Sequence, residues 1–479
     1  MTPSFYFYDL ETSGVNPRTS RIMQFAGQRT DMRMHPIGEP DNMLVQLSDD
    51  TLPEPDAIMI TGITPQKAIS EGVTEAEFMR YFAERVATSD TVFVGFNNIR
   101  FDDEFIRFTR YRNFYDAYEW CWKDNCSRWD ILDVVRMTRA LRPDGITWPM
   151  GTDGKPSNRL ELLTSVNDLE HVDAHDALSD VRATIAVARL IYNKQQRLFE
   201  YLLKVRSKKE VEALVNGGQP FVYTSGKYPS QYHKTTVVSS LGPHPGKQGA
   251  LVYDLRRDPE AYVYMSPAEL AAAWRERSED ETKRFPVKTL QYNRCPAVAP
   301  LGVLDDQAKQ HISLDMESVH KNSKTLENYP AFYKNLLAAL KIMDTQQQSR
   351  LLADEQEVDA ALYDGFFDDQ DKTAMSVVRA AGADEIGSLT LQFKDERLNK
   401  LLPLYKARNF KKTLSAEERD AWETFRTRRL LGGGERSMAA RYFARLTEIA
   451  ARKGLSAEVR YLLEELQLYG ESILPAPEA

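Results

Sequence analysis

Two carboxylates lie two residues apart near the start of the chain, Asp9 and Glu11, in the run SFYFYDLETSG. The run is aromatic and β-prone, so it reads as a strand. Side chains alternate along a strand, which puts both acids on the same side. Like charges held that close are costly unless a cation lies between them, and hard carboxylate oxygens suit Mg²⁺ or Mn²⁺. An Asp-x-Glu pair alone is more often a solvated strand end than a metal site. Two later groups add weight. Asp102, beside Asp103 and Glu104, follows VFVGFNNIRF, and His175 and Asp180 bound the run HDALSD. Taken singly each has an ordinary explanation: an acidic helix start favoured by the helix dipole, a structural histidine, an exposed aspartate. Their order along the chain makes them a set.

The elements that must position this set are legible in outline. Further strands are expected over 21–30 and 42–47, and a short apolar one over 91–96. Helices are expected over 101–112, 129–141, 159–166 and 175–192, with another opened by Thr64 as N-cap and Pro65 behind it. His175 would then start a helix, with Asp180 about a turn and a half further in. Strands followed by alternating strand and helix give a mixed sheet with helices packed on it. Past 196 the chain turns to short β-like runs at 221–223, 235–239, 250–255 and 287–292, with a helical insert opened by Ser266-Pro267. From 351 it becomes helical and charged, with helices expected over 374–381, 395–407, 415–429 and 437–452. Gly432, Gly433 and Gly434 lack the flanks of a phosphate loop and read as a helix connector.

The 479 residues suggest two or three domains. Divided at these changes of character, the units are 1–195, 196–350 and 351–479. A net charge of −8 argues against a basic nucleic-acid coat but leaves room for local basic surfaces. Cys121, Cys126 and Cys295 imply neither a disulfide framework nor a zinc site, and read as reduced thiols. The N-terminal residues lack a signal peptide's features and no apolar run reaches transmembrane length, so a soluble, cytoplasmic protein is expected, with no membrane partner.

The ordered set resembles the DEDD superfamily of 3′→5′ exonucleases in its His-containing subclass. The stretches DLETSG, ITGITP, FNNIRFDDEFIR, YRNFYD, SRWDILDVVR, LRPDGITWP, RLELLT and AHDALSD bring the likeness closer to the bacterial exonuclease I family. LYDGFF and YKARNF extend it to the C-terminal region. The resemblance implies a ribonuclease H-like α/β domain, then an SH3-like β-rich domain and an α-helical domain. It implies hydrolysis of single-stranded DNA from the 3′ end to 5′-mononucleotides, with roles in repair and recombination.

On that resemblance Asp9, Glu11, Asp102 and Asp180 hold two Mg²⁺ ions, which Mn²⁺ could replace, and His175 is the general base. Asp103 is the neighbour most easily exchanged for Asp102. Single-strand grooves combine basic and aromatic side chains, and residues 100–159 are rich in both. The resemblance favours Arg107, Tyr118, Trp122, Arg136 and Arg159 as DNA contacts, with Arg159 at the terminal nucleotide. Glu11, Thr12 and Ser13 are close enough in sequence to touch the terminal sugar. Lys208 is a further contact from the middle unit, and a channel closed by that unit would give processivity. The acidic tail of single-strand DNA-binding protein is the implied partner, with Arg142 either its contact or a DNA residue. A monomer is expected. Two other readings compete: a proofreading or oligoribonuclease enzyme on the same core, and a non-catalytic single-strand binding module.

Overall fold

The structure, a computed structural model, describes residues 2–171, 175–276, 278–351 and 357–475. Its first sheet is built round β1 (Ser4–Thr12). On one side β2 (Ile22–Thr30) pairs antiparallel to β1, and β3 (Asp41–Leu44) antiparallel to β2. On the other, β4 (Thr91–Gly95) runs parallel to β1 and β5 (Ser127–Asp130) parallel to β4. The order β3-β2-β1-β4-β5 is the ribonuclease H-like mixed sheet.

Alternation along β1 sorts its side chains. Phe5 and Phe7 enter the core beneath the helix Ala177–Lys194, with Val181, Val187 and Ile191. Tyr6, Tyr8 and Leu10 enter a separate cluster with Phe25, Phe78, Phe82 and Phe93. Asp9 and Glu11 continue the Phe5–Phe7 face where β1 leaves the core, and the register against β2 shifts between Glu11 and Thr12.

Local structure departs from expectation at three points near the acids. The stretch 129–141 is not one helix: its start belongs to β5, and the helix is Ile131–Leu141, with the Asp130 side chain accepting from Leu132 N. Trp129 is fixed in the core between Phe5 and Phe199, a tertiary constraint that four residues cannot announce by periodicity. The helix expected from 175 begins at Ala177, because Asp176 is its N-cap, accepting from Ser179 N at 3.0 Å. His175 precedes that cap with φ +70°. The strand expected over 42–47 ends at Leu44.

The second sheet comprises β6 (Phe221–Thr224), β7 (Thr235–Pro243), β8 (Gly249–Asp254), β9 (Val287–Gln291) and β10 (Ala297–Pro300), antiparallel throughout in the order β10-β6-β7-β8-β9. Ser266 and Glu269 form a capping box on the helical insert Pro267–Arg275. Helicity begins earlier than 351: Asp306–His311, Met316–Asn328 and Ala331–Leu351 are helices, and Phe332 packs on Tyr253 of β8. The last unit is helical, including Glu396–Asn409, Ala416–Leu431, Met438–Ala450 and an unforeseen Ala457–Ile473; Gly432, Gly433 and Gly434 lie between two of these helices. It shares a core with the first unit, where Phe108, Tyr111 and Phe114 meet Leu398, Leu401 and Tyr405. Among the described residues no helix is long and apolar enough to cross a membrane.

Candidate metal centre and substrate cleft

The acids converge where β1 ends. One ligand atom each of Glu11, His175 and Asp180 lies within 4.8 Å of the others. Burial, with Asp102, Asp180 and Asp176 close by, holds the Asp9 carboxyl well above its ordinary range. Burial, then Asp9, Asp180 and Asp176, pushes Glu11 up to about 9. Asp102 is raised by burial, with Asp103 and Glu11 adding to it against hydrogen bonds from backbone N–H groups. Asp180 is raised by burial, opposed by hydrogen bonding to His171 and by His175. Burial and close acidic neighbours disfavour the ionised forms here, a cost that a divalent cation would offset.

The two neighbouring aspartates have different partners. Asp103 is fully buried, accepts the Tyr8 hydroxyl and is ion-paired with Arg128. Asp102, at the first turn of the helix Asp102–Arg112, is the one electrostatically coupled to Asp9 and Glu11. The turn before this helix holds Asn97 at φ +72°.

His175 is exposed at the edge of the acids. Two further groups were not foreseen. Asp176, besides capping its helix, accepts from Gln24 Nε2 at 3.1 Å and adds negative charge beside Asp9 and Glu11. His171 bonds Asp180 Oδ1 at 2.6 Å. The adjacency of Asp176 to His175 was a signal available in the sequence; His171 sits in an irregular stretch with no pattern to mark it.

The expected DNA contacts fall into two groups. Arg107, Tyr118, Trp122 and Lys208 line a single cavity of about 680 Å³, together with Arg128, Arg206 and Asn293. The Arg107 guanidinium lies 5.6 Å from the Tyr118 ring centroid, and Trp122 is 62% exposed. The rest lie elsewhere. Arg159 is exposed just ahead of the helix Leu160–Val166, paired with Glu161 at 2.5 Å. Arg136 pairs with Asp133 at 2.6 Å and faces Gly226, where a Cβ would sit 3.1 Å from its guanidinium. Thr12 and Ser13 are buried, and their hydroxyls are spent in the turn: Thr12 Oγ1 donates to Gly14 O, and Ser13 Oγ accepts from Arg21 N, both at 2.8 Å. Arg142 pairs with Asp305 at 3.2 Å and donates to Val303 O at 2.8 Å, at the seam with the second unit.

One carboxylate joins all three units. Glu104, two residues past Asp102, takes Arg107 at 2.7 Å from its own helix, Arg294 at 3.1 Å from the loop after β9, and the Tyr363 hydroxyl from the C-terminal region.

Family models match the chain in three consecutive parts: an exonuclease over 6–188, an exonuclease I SH3-like domain over 206–358, and an exonuclease I C-terminal domain over 356–473. Exodeoxyribonuclease I of Haemophilus influenzae is 39% identical, covering 98% of this chain and 99% of its own. The chain belongs to the exonuclease I family.

Solved members superpose over its length. An exonuclease I from Methylocaldum szegediense gives a TM-score of 0.91 at 40% identity, covering 99% of this chain and 100% of its own. Exonuclease I of Escherichia coli, in complex with a dA16 oligonucleotide, gives 0.91 at 36% identity with the same coverage. That protein has also been solved in a zinc-bound complex with single-stranded DNA, and an SSB/exonuclease I structure in complex with an inhibitor gives a TM-score of 0.88 at 36% identity. Exonuclease I family membership makes this chain a 3′→5′ exodeoxyribonuclease, a phosphodiester hydrolase of the divalent-metal-dependent class.

Proposed function

We propose that this chain hydrolyses single-stranded DNA processively from the 3′ end, releasing 5′-mononucleotides, with Asp9, Glu11, Asp102 and Asp180 holding two Mg²⁺ ions. The observation that carries the reading is the convergence of these acids at the end of β1, each with its pKa raised by burial, and Asp9, Glu11 and Asp102 raised by like-charge neighbours as well. A pair of such ions stabilises the attacking and leaving oxygens of a phosphodiester. His175, at the exposed edge of the acids, takes the proton from the attacking water; an imidazole suits that task near neutral pH. Arg159 holds the terminal nucleotide. Glu11 and the turn at Thr12 and Ser13 border the terminal sugar, and Arg136 guides the backbone between the first two units.

Arg107, Tyr118, Trp122 and Lys208 then receive the strand further from the cut. Their shared cavity offers the mixture of cations and exposed rings that a single strand stacks on. The junction at Glu104 supports a channel closed by all three units, so that retention of the strand is topological. The units 1–195, 196–350 and 351–479 supply catalysis, closure and bracing. The SSB acidic tail is the proposed protein partner, at Arg142, in a monomeric, cytoplasmic enzyme of repair and recombination. Mn²⁺ is expected to replace Mg²⁺.

A non-catalytic binding module would have no need of four acids held against their own repulsion, and an enzyme made of the nuclease core alone would lack the matched second and third units. The test is product analysis with matched DNA and RNA oligonucleotides, in Mg²⁺, with unlabelled competitor strand added after the start. Nucleoside 5′-monophosphates from DNA, continuing despite competitor, support the reading. Equal or faster RNA hydrolysis, or synchronous arrest on adding competitor, contradicts substrate or processivity respectively.

A further inference from the structure

Behind the acids is a buried histidine that this mechanism does not use. The His171 side chain is 6% exposed. Asp180, as a carboxylate, can only accept, so His171 Nε2 is the donor in their 2.6 Å hydrogen bond. On its other side His171 Nδ1 lies 3.1 Å from Thr164 Oγ1. Thr164 is itself buried, with its hydroxyl 3.0 Å from both Leu160 O and Glu161 O. A continuous set of contacts therefore runs from the helix Leu160–Val166, through Thr164 and His171, to Asp180 in the first turn of Ala177–Lys194. Arg159 stands at the N-terminal edge of the first of these helices.

An aspartate set among other acids is pushed away from them, and its rotamer is free unless something holds it. A hydrogen bond to one carboxylate oxygen fixes the plane of the group and leaves the second oxygen for a cation. A histidine that merely filled space would not engage both ring nitrogens, one with the part-buried Asp180 and the other with the buried, helix-anchored Thr164. Groups that orient a metal ligand in this way are worth about 10–100-fold in metal affinity.

Building on the metal site proposed above, we propose that His171 is a positioning residue: it holds Asp180 in its cation-facing rotamer and ties that acid to the helix that begins beside Arg159.

The test is calorimetric titration of the full chain with Mn²⁺ in the absence of DNA, together with binding of a fluorescent single strand in EDTA. Four variants are compared: Asp180→Ala, His171→Leu, His171→Gln and Thr164→Val. Asp180→Ala is expected to lose Mn²⁺ affinity. His171→Leu is expected to weaken it about tenfold or more, while His171→Gln, whose amide can donate to the same oxygen, stays near wild type. Thr164→Val, which keeps the imidazole but frees its far side, falls between, and strand binding in EDTA is unchanged in all three His171 and Thr164 variants. Wild-type Mn²⁺ affinity in His171→Leu, or equal losses in His171→Leu and His171→Gln, overturns the positioning role. If His171→Leu does not fold, wild-type affinity in Thr164→Val overturns it. Wild-type affinity in Asp180→Ala overturns the metal site itself, a result distinct from either.

Discussion

Asp103 and Arg128 are ion-paired with both side chains nearly sealed from water, 0% and 9% exposed. Arg128 reaches on to Asn293 O at 3.0 Å, so the pair also supports the seam with the second unit. Adjacent aspartates thus have opposite assignments, one to the acid cluster and one to the interior. Asp103→Asn strands a buried guanidinium and is expected to cost about 3–5 kcal/mol of stability. Asp102→Asn removes one of several repelling charges, so its thermal midpoint in EDTA should not fall, while turnover should drop by about 100-fold or more, the scale of losing one preorganised electrostatic group. Thermal melts and initial rates on the two variants check this.

Metal and pH are linked through Glu11. Its carboxyl is pushed from 4.5 to about 9 by burial and its acidic neighbours. A carboxyl raised on folding lends stability at low pH and loses it as pH rises through the folded value. In EDTA the thermal midpoint should therefore decline across the window from 4.5 to about 9, and divalent metal should remove that decline. Metal binding should also release protons near neutral pH, seen as a binding heat that varies with the ionisation enthalpy of the buffer.

Trp122 should separate binding from folding. An exposed tryptophan in a cavity lined by arginines contributes little to the core. Trp122→Ala is expected to weaken single-strand binding by about 1–3 kcal/mol and to leave stability within about 0.5 kcal/mol. Fluorescence anisotropy in EDTA and a thermal melt measure the two.

Asp359 braces the turn at Ser13 from the far end of the sequence. It takes Arg21 at 2.9 Å, Arg408 at 2.7 Å and Arg429 at 3.0 Å. Burial would raise its carboxyl, but Arg408, Arg21 and Arg429 outweigh burial and hold it well below the usual range. Arg21 also bonds Ser13 through its backbone, both N to Ser13 Oγ and O from Ser13 N. Asp359→Ala leaves three buried arginines under-paired and is expected to cost about 3–5 kcal/mol. Denaturant unfolding measures it.

What the sequence conveyed was local or ordered. The Asp9–Glu11 alternation, the cap at Thr64 and the helix after VFVGFNNIRF could all be read from neighbouring residues. The five-residue spacing of His175 and Asp180 was legible too, but not that Asp176 would cap the helix and leave His175 outside it at positive φ. β5 is four residues long and owes its place to β4 beside it. His171 acquires meaning only from Thr164 and Asp180, and Asp359 only from Arg21, 338 residues away. Such long-range pairings have no periodicity and leave no trace in a single sequence.

The most direct measurement is time-resolved gel analysis of a 5′-labelled single-stranded oligonucleotide, with Mg²⁺ or with EDTA, for the wild-type chain and Asp180→Ala. Shortening from the 3′ end that requires metal and is lost in Asp180→Ala is the expected result. A wild-type chain that binds the strand but leaves it full length, or an Asp180→Ala variant that shortens it at the wild-type rate, would contradict the assignment of the acid cluster as the catalytic centre.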